Sequence, residues 1–377
     1  MLSGLVVVVA GCLLSALPTG FLGLIVGRTM QGIGLAITPL ALAVARDVLE
    51  PARMAPTLAL LSVAGVAGAG LGFPLTSLVA GVGGLDAAFW LGAVLTGATL
   101  LMAWRHVPTA PPGRTARLDW TGGALLTGGV LAVLLVVSQG AHWGWTSPPS
   151  ILLAVSGVLA VGAWVPWTLR SPHPLVDLRL ACRAASLGPH LTALLAGAGM
   201  YMGLTLVLVV VQADGASGWG LGQPVAVAGL MLLPYSLMSV GGSRVALALG
   251  RRIAPHRVLP LGCAVYLASH VLLAFAHDHI WQGLLVMAVA GLGSGCTFAM
   301  IPLLLIRAVP AAETSSALGF QQVLRYIGFS VGSTAGIAVL DVASGPAGPD
   351  RTGLVAAALA TALVCLGAGL TAWRTTR

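Results

Sequence analysis

The sequence predicts an all-α polytopic membrane protein with about 12 transmembrane helices, on three observations. Of 377 residues, 58% are hydrophobic and only 7% charged, against roughly a quarter charged in a soluble domain. The apolar residues fall in runs near the ~20 residues that a spanning helix needs, separated by gaps rich in Pro, Gly and Arg. Arginine, finally, alternates from gap to gap. In lipid only helices or closed barrels satisfy the backbone, and these runs outlast the ~9–11 residues of a barrel strand.

Leu2–Leu17 opens the chain and stops at Pro18; it lacks the basic start of a signal peptide, and Val9-Ala10-Gly11-Cys12 lacks it as a lipoprotein cleavage box. Phe21–Ala45 follows, closing on Arg46, then Ala55–Gly81 with Pro74 inside, and Ala87–Trp104. Pro108, Pro111, Pro112 and Gly113 make the next connector a hinge. Trp120–Val137 and Ile151–Leu169 form a central pair, joined by His142-Trp143-Gly144-Trp145, whose tryptophans suit a membrane interface. Six more spans complete the chain: Leu187–Gln212, Pro224–Gly242, Val258–Ala276, Trp281–Ile306, Ser315–Leu340 and Thr352–Trp373. The expected units are 1–104 with four spans, 105–186 with the inserted pair, and 187–377 with six.

All 18 basic residues are arginine, and the gaps after the even-numbered spans, with the C-terminal tail, carry fifteen of them. Gaps after odd spans carry only Arg351, while Arg28 and Arg325 lie inside spans. By the positive-inside rule both termini and every even-span loop are expected in the cytoplasm, in a cell (inner) membrane.

Absence of lysine excludes a Walker-type phosphate loop and a Schiff-base lysine. The net charge of +8 follows the loops and requires no nucleic acid. Cys12, Cys263, Cys296 and Cys365 read as small buried hydrophobes, Cys182 lies in a basic loop, and none has metal-ligand spacing. His277-Asp278-His279 reads as an exposed, solvated turn rather than a metal site. Gly215-Ala216-Ser217-Gly218 matches a short intramembrane serine protease signature, but an external loop is the wrong place for it. No enzyme activity, cofactor or metal is expected.

The stretch around Arg28 puts a permanent charge in an apolar helix, which costs roughly 2.5–3.5 kcal/mol near a bilayer centre and points to a polar interior or a partner. Gln31 lies one turn away on the same face. The pattern Leu24-x3-Arg28-x2-Gln31-Gly32-x-Gly34-x-Ala36 resembles the fourth-helix motif of major facilitator superfamily transporters, most closely the fourteen-helix drug:proton antiporter branch. His173-Pro174-Leu175-Val176-Asp177-Leu178-Arg179-Leu180 is similar to that branch's loop after its inserted helices. Ser316-Ala317-Leu318, Arg325, Gly328 and the run from Gly332 to Ala338 resemble its penultimate helix. Gly242, Arg244, Gly250, Arg251 and Arg252 resemble the degenerate C-terminal copy of the superfamily's cytoplasmic loop. Gly68-Ala69-Gly70-Leu71-Gly72-Phe73-Pro74 resembles the glycine-rich antiporter motif, with Phe73 where the motif has Gly; Gly68, Gly72 and Pro74 are expected to form a tight bend. The Arg motif lies on the second span where the resemblance requires the fourth, so the chain is expected to lack two helices and a Gly-Asp-Arg loop.

The resemblance implies a proton-coupled exporter of drug-like small molecules, working by alternating access, with substrate, protons and lipid as its partners and a monomeric state. Coupling requires an interior titratable group, yet all ten acids map to loops or span ends; the carrier falls to the absent helices, Asp47 or His270. Two interior arginines without an acid favour neutral or anionic substrates. Gln321, Gln322, Arg325 and Tyr326 cluster as cavity candidates, and Pro39, Pro74, Pro166, Pro234 and Pro302 mark kinks that line cavities. A truncated membrane scaffold or sensor is the alternative.

Overall fold

The computed structural model describes the whole chain except Met1, Thr19, 108–118, His173, Leu175, 216–217, 311–312, 346–347 and 376–377. The connector hinge and Ser217 therefore lie outside the described residues, as do the side chains of Arg46 and Asp47.

The order is α1 (Leu2–Ala16), α2 (Gly20–Gly32), a 3-10 turn (Ile33–Ala36), α3 (Ile37–Val48), α4 (Pro51–His106), α5 (Trp120–Trp143), α6 (Pro148–Arg170) and the short α7 (Leu178–Ala181). There follow α8 (Ala184–Gln212), α9 (Val225–Leu230), α10 (Leu232–Leu249), α11 (Pro255–Phe275), α12 (Ile280–Ala308), α13 (Thr314–Ala343) and α14 (Arg351–Thr375). Among the described residues, ten helical segments are long and apolar enough to cross a membrane, and Leu2–Ala16 is a shorter apolar helix. The segment Gly20–Leu42 passes through the 3-10 turn and joins α2 to α3 as one expected span.

The third and fourth expected spans are the two helical limbs of α4, which part at Gly84 with φ +75° and ψ −179°. That conformation belongs to glycine. Gly72 and Gly92 line one cavity, although 20 residues of straight helix would hold them about 30 Å apart, so the two limbs of α4 fold back at Gly84. α4 stays helical through Pro74, since a proline removes one hydrogen bond without abolishing the helix around it, and the reversal falls ten residues later at Gly84. Among the described residues, a Cβ at Gly68 or Gly72 meets nothing within 4 Å.

Close approach occurs in the C-terminal bundle. Cβ atoms on Gly328 and Gly332 of α13 would run into the carbonyls of Leu194 and Ala198 on α8, one on Gly336 would press on Met202, and those on Gly291 and Gly295 of α12 would run into Tyr235 and Ser239 of α10. Small residues one turn apart let these backbones touch, which substitutes for the hydrophobic drive that lipid does not supply. Leu206, Tyr266, Phe298 and Ile301 are fully buried there.

The α5–α6 hairpin packs on itself through Gly129 and Gly157. Asp119 caps α5 by accepting from Gly122 N–H at 2.8 Å and accepts from Trp167 Nε1 of α6 at 3.0 Å. The hairpin meets the C-terminal bundle where α5 lies along α13 and Trp164 approaches Phe320, centroids 6.2 Å apart.

The first limb of α4 packs on α9, α10 and α12, and α3 on α13, which defines a seam between the N-terminal helices and the C-terminal bundle. At the arginine-bearing end a cluster closes it: Leu42, Ala45 and Leu58 against Leu305, Val309 and Leu318. Apolar side chains of this size exclude water from that end.

Candidate functional site

Arg325 lies on the seam. It is 6% exposed, and its Nη1 donates across the seam to the Ser62 carbonyl at 3.4 Å. Ser62 and Arg325 each sit eleven residues into their helices, about 16 Å at 1.5 Å per residue, near the middle of a ~30 Å hydrocarbon layer. No acid pairs with the guanidinium among the described residues, whose recorded salt bridge is Arg351 with Asp278 at 3.6 Å. Aromatic rings take the place of a carboxylate: Phe298 at 5.2 Å, Tyr326 at 5.6 Å and Phe329 at 5.7 Å from Cζ. Tyr201 of α8 stacks on Phe329 with centroids 4.5 Å apart. Gln322 Nε2 donates to the Tyr326 hydroxyl at 3.1 Å, and Gln321 is buried beside them. Arg325 Nε has no partner among the described residues. The four cavity candidates on α13 thus form one polar patch on the seam, with a cation poised for ring faces or an incoming acceptor.

Arg28 occupies a different place. It is exposed on α2, donates Nη1 to Gln31 Oε1 at 3.2 Å and lies 5.0 Å from the Phe89 ring centroid. Gln31 in turn donates Nε2 to the Gly11 carbonyl at 3.3 Å and Ser15 Oγ at 3.1 Å. Arg28, Gln31, Gly72, Phe73, Thr76 and Phe89 line a cavity of about 490 Å³ between α2 and both limbs of α4. Pro74 is buried nearby on α4, while Gly68 and Gly32 are exposed with open space around them. Gly34 faces Val8 of α1, its Cβ position 3.3 Å from a Val8 methyl. Of the two arginines expected in the interior, Arg325 alone is buried and Arg28 is exposed, and the two lie in separate places.

His270 belongs to neither. It is buried within the C-terminal bundle, Nδ1 donating to the Tyr266 carbonyl at 2.8 Å with Ser269 Oγ at 3.1 Å. Its Nε2 faces Gly203, where a Cβ would collide with the ring. A cavity of about 10 Å³ beside it is lined only by α8, α10, α11 and α12. Arg244 is exposed near the end of α10, and Arg251 and Arg252 are exposed in the α10–α11 turn. In the turn before α12, His277 is buried rather than exposed, its Nδ1 at 3.0 Å from the Leu273 carbonyl, while His279 caps α12 in a capping box with Gln282. Each ring thus bonds to nearby backbone, while His277 Nε2 has no partner among the described residues; no group of three His, Cys, Asp or Glu among those residues could hold a metal.

Sequence reasoning missed Ser62, Phe89, Phe298, Phe329 and His190. Ser62 acts through its carbonyl, which no side-chain pattern reveals. The rings leave a signal in their scarcity, with 7 Phe and 4 Tyr in the chain. His190 packs edge-on to Phe320 at 5.2 Å and both of its ring nitrogens lack partners among the described residues.

A two-part bundle of long apolar helices marks a polytopic membrane protein. The chain belongs to the Major Facilitator Superfamily, whose profile matches residues 1–333. It is 26% identical over 290 residues to the uridine/deoxyuridine transporter of Lactococcus lactis, covering 75% of this chain and 60% of that protein. It is 26% identical over 321 residues to the multidrug resistance protein Stp of Mycobacterium tuberculosis, covering 83% and 57%. The chain thus spans less than two thirds of either relative's length. The human organic anion transporter MFSD10 (TETRAN) shares the fold, with a TM-score of 0.64 at 17% identity over 98% of this chain and 76% of that one.

Proposed function

We propose that this chain carries out proton-coupled efflux of drug-like small molecules by alternating access between its N-terminal helices and the six-helix C-terminal half. One observation carries the reading: an acid-free cation, Arg325, is buried on the seam and hydrogen-bonded across it. Such a charge is expensive in lipid and is kept where it meets substrate or changes partners as the halves move. The likeness to a protein named for multidrug resistance supports export. Ring faces and a free guanidinium edge suit neutral or anionic aromatic compounds better than cations, and the likeness to a uridine/deoxyuridine transporter favours polar neutral molecules within that range.

In this reading 1–104, 105–186 and 187–377 are the moving and inserted units, the arginine-bearing end is cytoplasmic with both termini, the membrane is the inner one, and the protein works as a monomer. The cluster around Leu58 and Leu305 is then the closed inner gate. Gly32, Gly34, Gly68, Gly72 and Pro74 tune the motion of the N-terminal helices, and Arg28 with Gln31 forms a second polar station. Asp47 and His270 are the candidate proton carriers of this chain.

The test is tolerance to a panel of anionic, neutral and cationic antibiotics in cells expressing wild type, Arg28→Ala or empty vector. Wild type should raise tolerance to neutral or anionic compounds, a protonophore should abolish the gain, and Arg28→Ala should fall to the vector level. Equal tolerance of wild type and Arg28→Ala removes Arg28 from the mechanism. A wild type no better than vector favours the scaffold or sensor reading.

A further inference from the structure

At the arginine-bearing end a second cavity, of about 210 Å³, opens between the start of α4 and the ends of α10, α11 and α12. Ala55 and Pro56 form one wall; Leu247, Met300, Leu303 and Leu304 form an apolar floor; Arg251 and Arg307 stand at its rim. Both arginines are exposed, and neither has a carboxylate partner among the described residues. Among the described residues, no acidic side chain lines the space.

We propose that this cavity binds an anionic phospholipid, its phosphate between Arg251 and Arg307 and the first part of an acyl chain on the Leu303–Leu304 floor. Three physical points converge. Two guanidinium groups at one mouth repel each other unless an anion lies between them, and a phosphodiester matches their forked donors. The wall behind them is apolar, which suits an amphiphile rather than a free hydrated ion. The mouth also lies where the arginine-rich loops place the headgroup region, and basic pockets between membrane helices at that level select acidic lipids. At roughly 30 Å³ per water in the liquid, 210 Å³ holds a phosphate with several carbons behind it. An occupant touches α4 on one side and α10 to α12 on the other, so it bridges the seam and favours the closed state of this end. The inference needs only insertion in a bilayer and is read by binding, so it stands or falls separately from transport.

The experiment is native mass spectrometry of the purified full chain in micelles doped with phosphatidylglycerol or phosphatidylcholine of the same acyl chains. Wild type should retain phosphatidylglycerol preferentially. Arg251→Gln and Arg307→Gln should each weaken that retention about fivefold and the double variant roughly 30-fold, at about one lipid-facing arginine's contribution apiece. Ala55→Leu fills the cavity while leaving both charges, and should also lower retention, which keeps the test valid where the double variant fails to fold. Arg374→Gln, the same charge change at the same end outside the cavity, should leave retention at the wild-type level. Unchanged retention in the cavity variants, an equal loss with Arg374→Gln, or displacement of the lipid by millimolar inorganic phosphate each overturns the proposal.

Discussion

Replacing Arg325 with Met removes the charge while keeping an unbranched, flexible side chain with three fewer heavy atoms. Burying a lone ion costs several kcal/mol even after relaxation. Three ring faces at 5.2, 5.6 and 5.7 Å return about 1 kcal/mol each. The bond to the Ser62 carbonyl, at 3.4 Å, is longer than the usual range and adds about 1 kcal/mol at most. The favourable terms thus roughly match the desolvation or fall short of it. Met, meanwhile, keeps sulfur–aromatic contacts worth about 0.3–1.5 kcal/mol. Arg325→Met should therefore unfold at or above the wild-type temperature, with stability equal or raised by about 2 kcal/mol, and should still lose drug tolerance. Thermal unfolding of detergent-purified protein, measured beside tolerance at matched membrane expression, reads both. If Arg325 were instead a structural clamp, its loss would cost about 3–5 kcal/mol, and a lowered melting temperature with tolerance tracking only the amount of folded protein would refute the functional reading.

Gly203→Ala places a methyl on the His270 imidazole and should cost about 1–3 kcal/mol, seen as a lower melting temperature. His270→Ala in the same chain should restore most of that loss, since it empties the space the methyl enters. Asp350 caps α14, accepting from Gly353 N–H at 2.8 Å and Gly345 N–H at 3.3 Å, and these donors hold its carboxyl below the usual carboxylate range. A depressed folded value gives stability that is present above the unfolded pKa of about 3.9 and is lost as pH falls through the folded value. Asp350→Asn should therefore melt below wild type at neutral pH, and the gap should close in acid.

Architecture was legible wherever composition and period decide it. The apolar runs located the helices, and the alternation of Arg46 and Arg53, Arg105, Arg170 and their successors marked the turns between them, because bilayer thickness and loop charge act locally on the chain. The polar patch on α13 was legible too, since Gln321 and Arg325 share a face at i and i+4. What surrounds it was not. The carbonyl of Ser62 lies 263 residues away in sequence, and only tertiary packing brings it there. Gly84 was hidden among many glycines, and the tight α8–α13 contact falls at Gly328 and Gly332 rather than at the glycine run before Pro74. A small residue permits close approach, and the neighbouring helix decides whether it happens. His270 shows the same limit: an apolar span does not name its histidine's neighbours, and only tertiary packing sets Tyr266 and Gly203 against the ring.

The single-residue join at Gly84 in α4 carries a mechanical consequence. Its first limb is the part of the N-terminal helices that grips α10 and α12, and its second limb carries Phe89 over Arg28 and packs on α1. A connector loop would absorb a tilt of one limb, whereas a single-residue elbow has no slack. In the proposed cycle, a rotation of the first limb against the C-terminal bundle would pass through Gly84 into the walls of the Arg28 cavity, linking two arginines that share no contact.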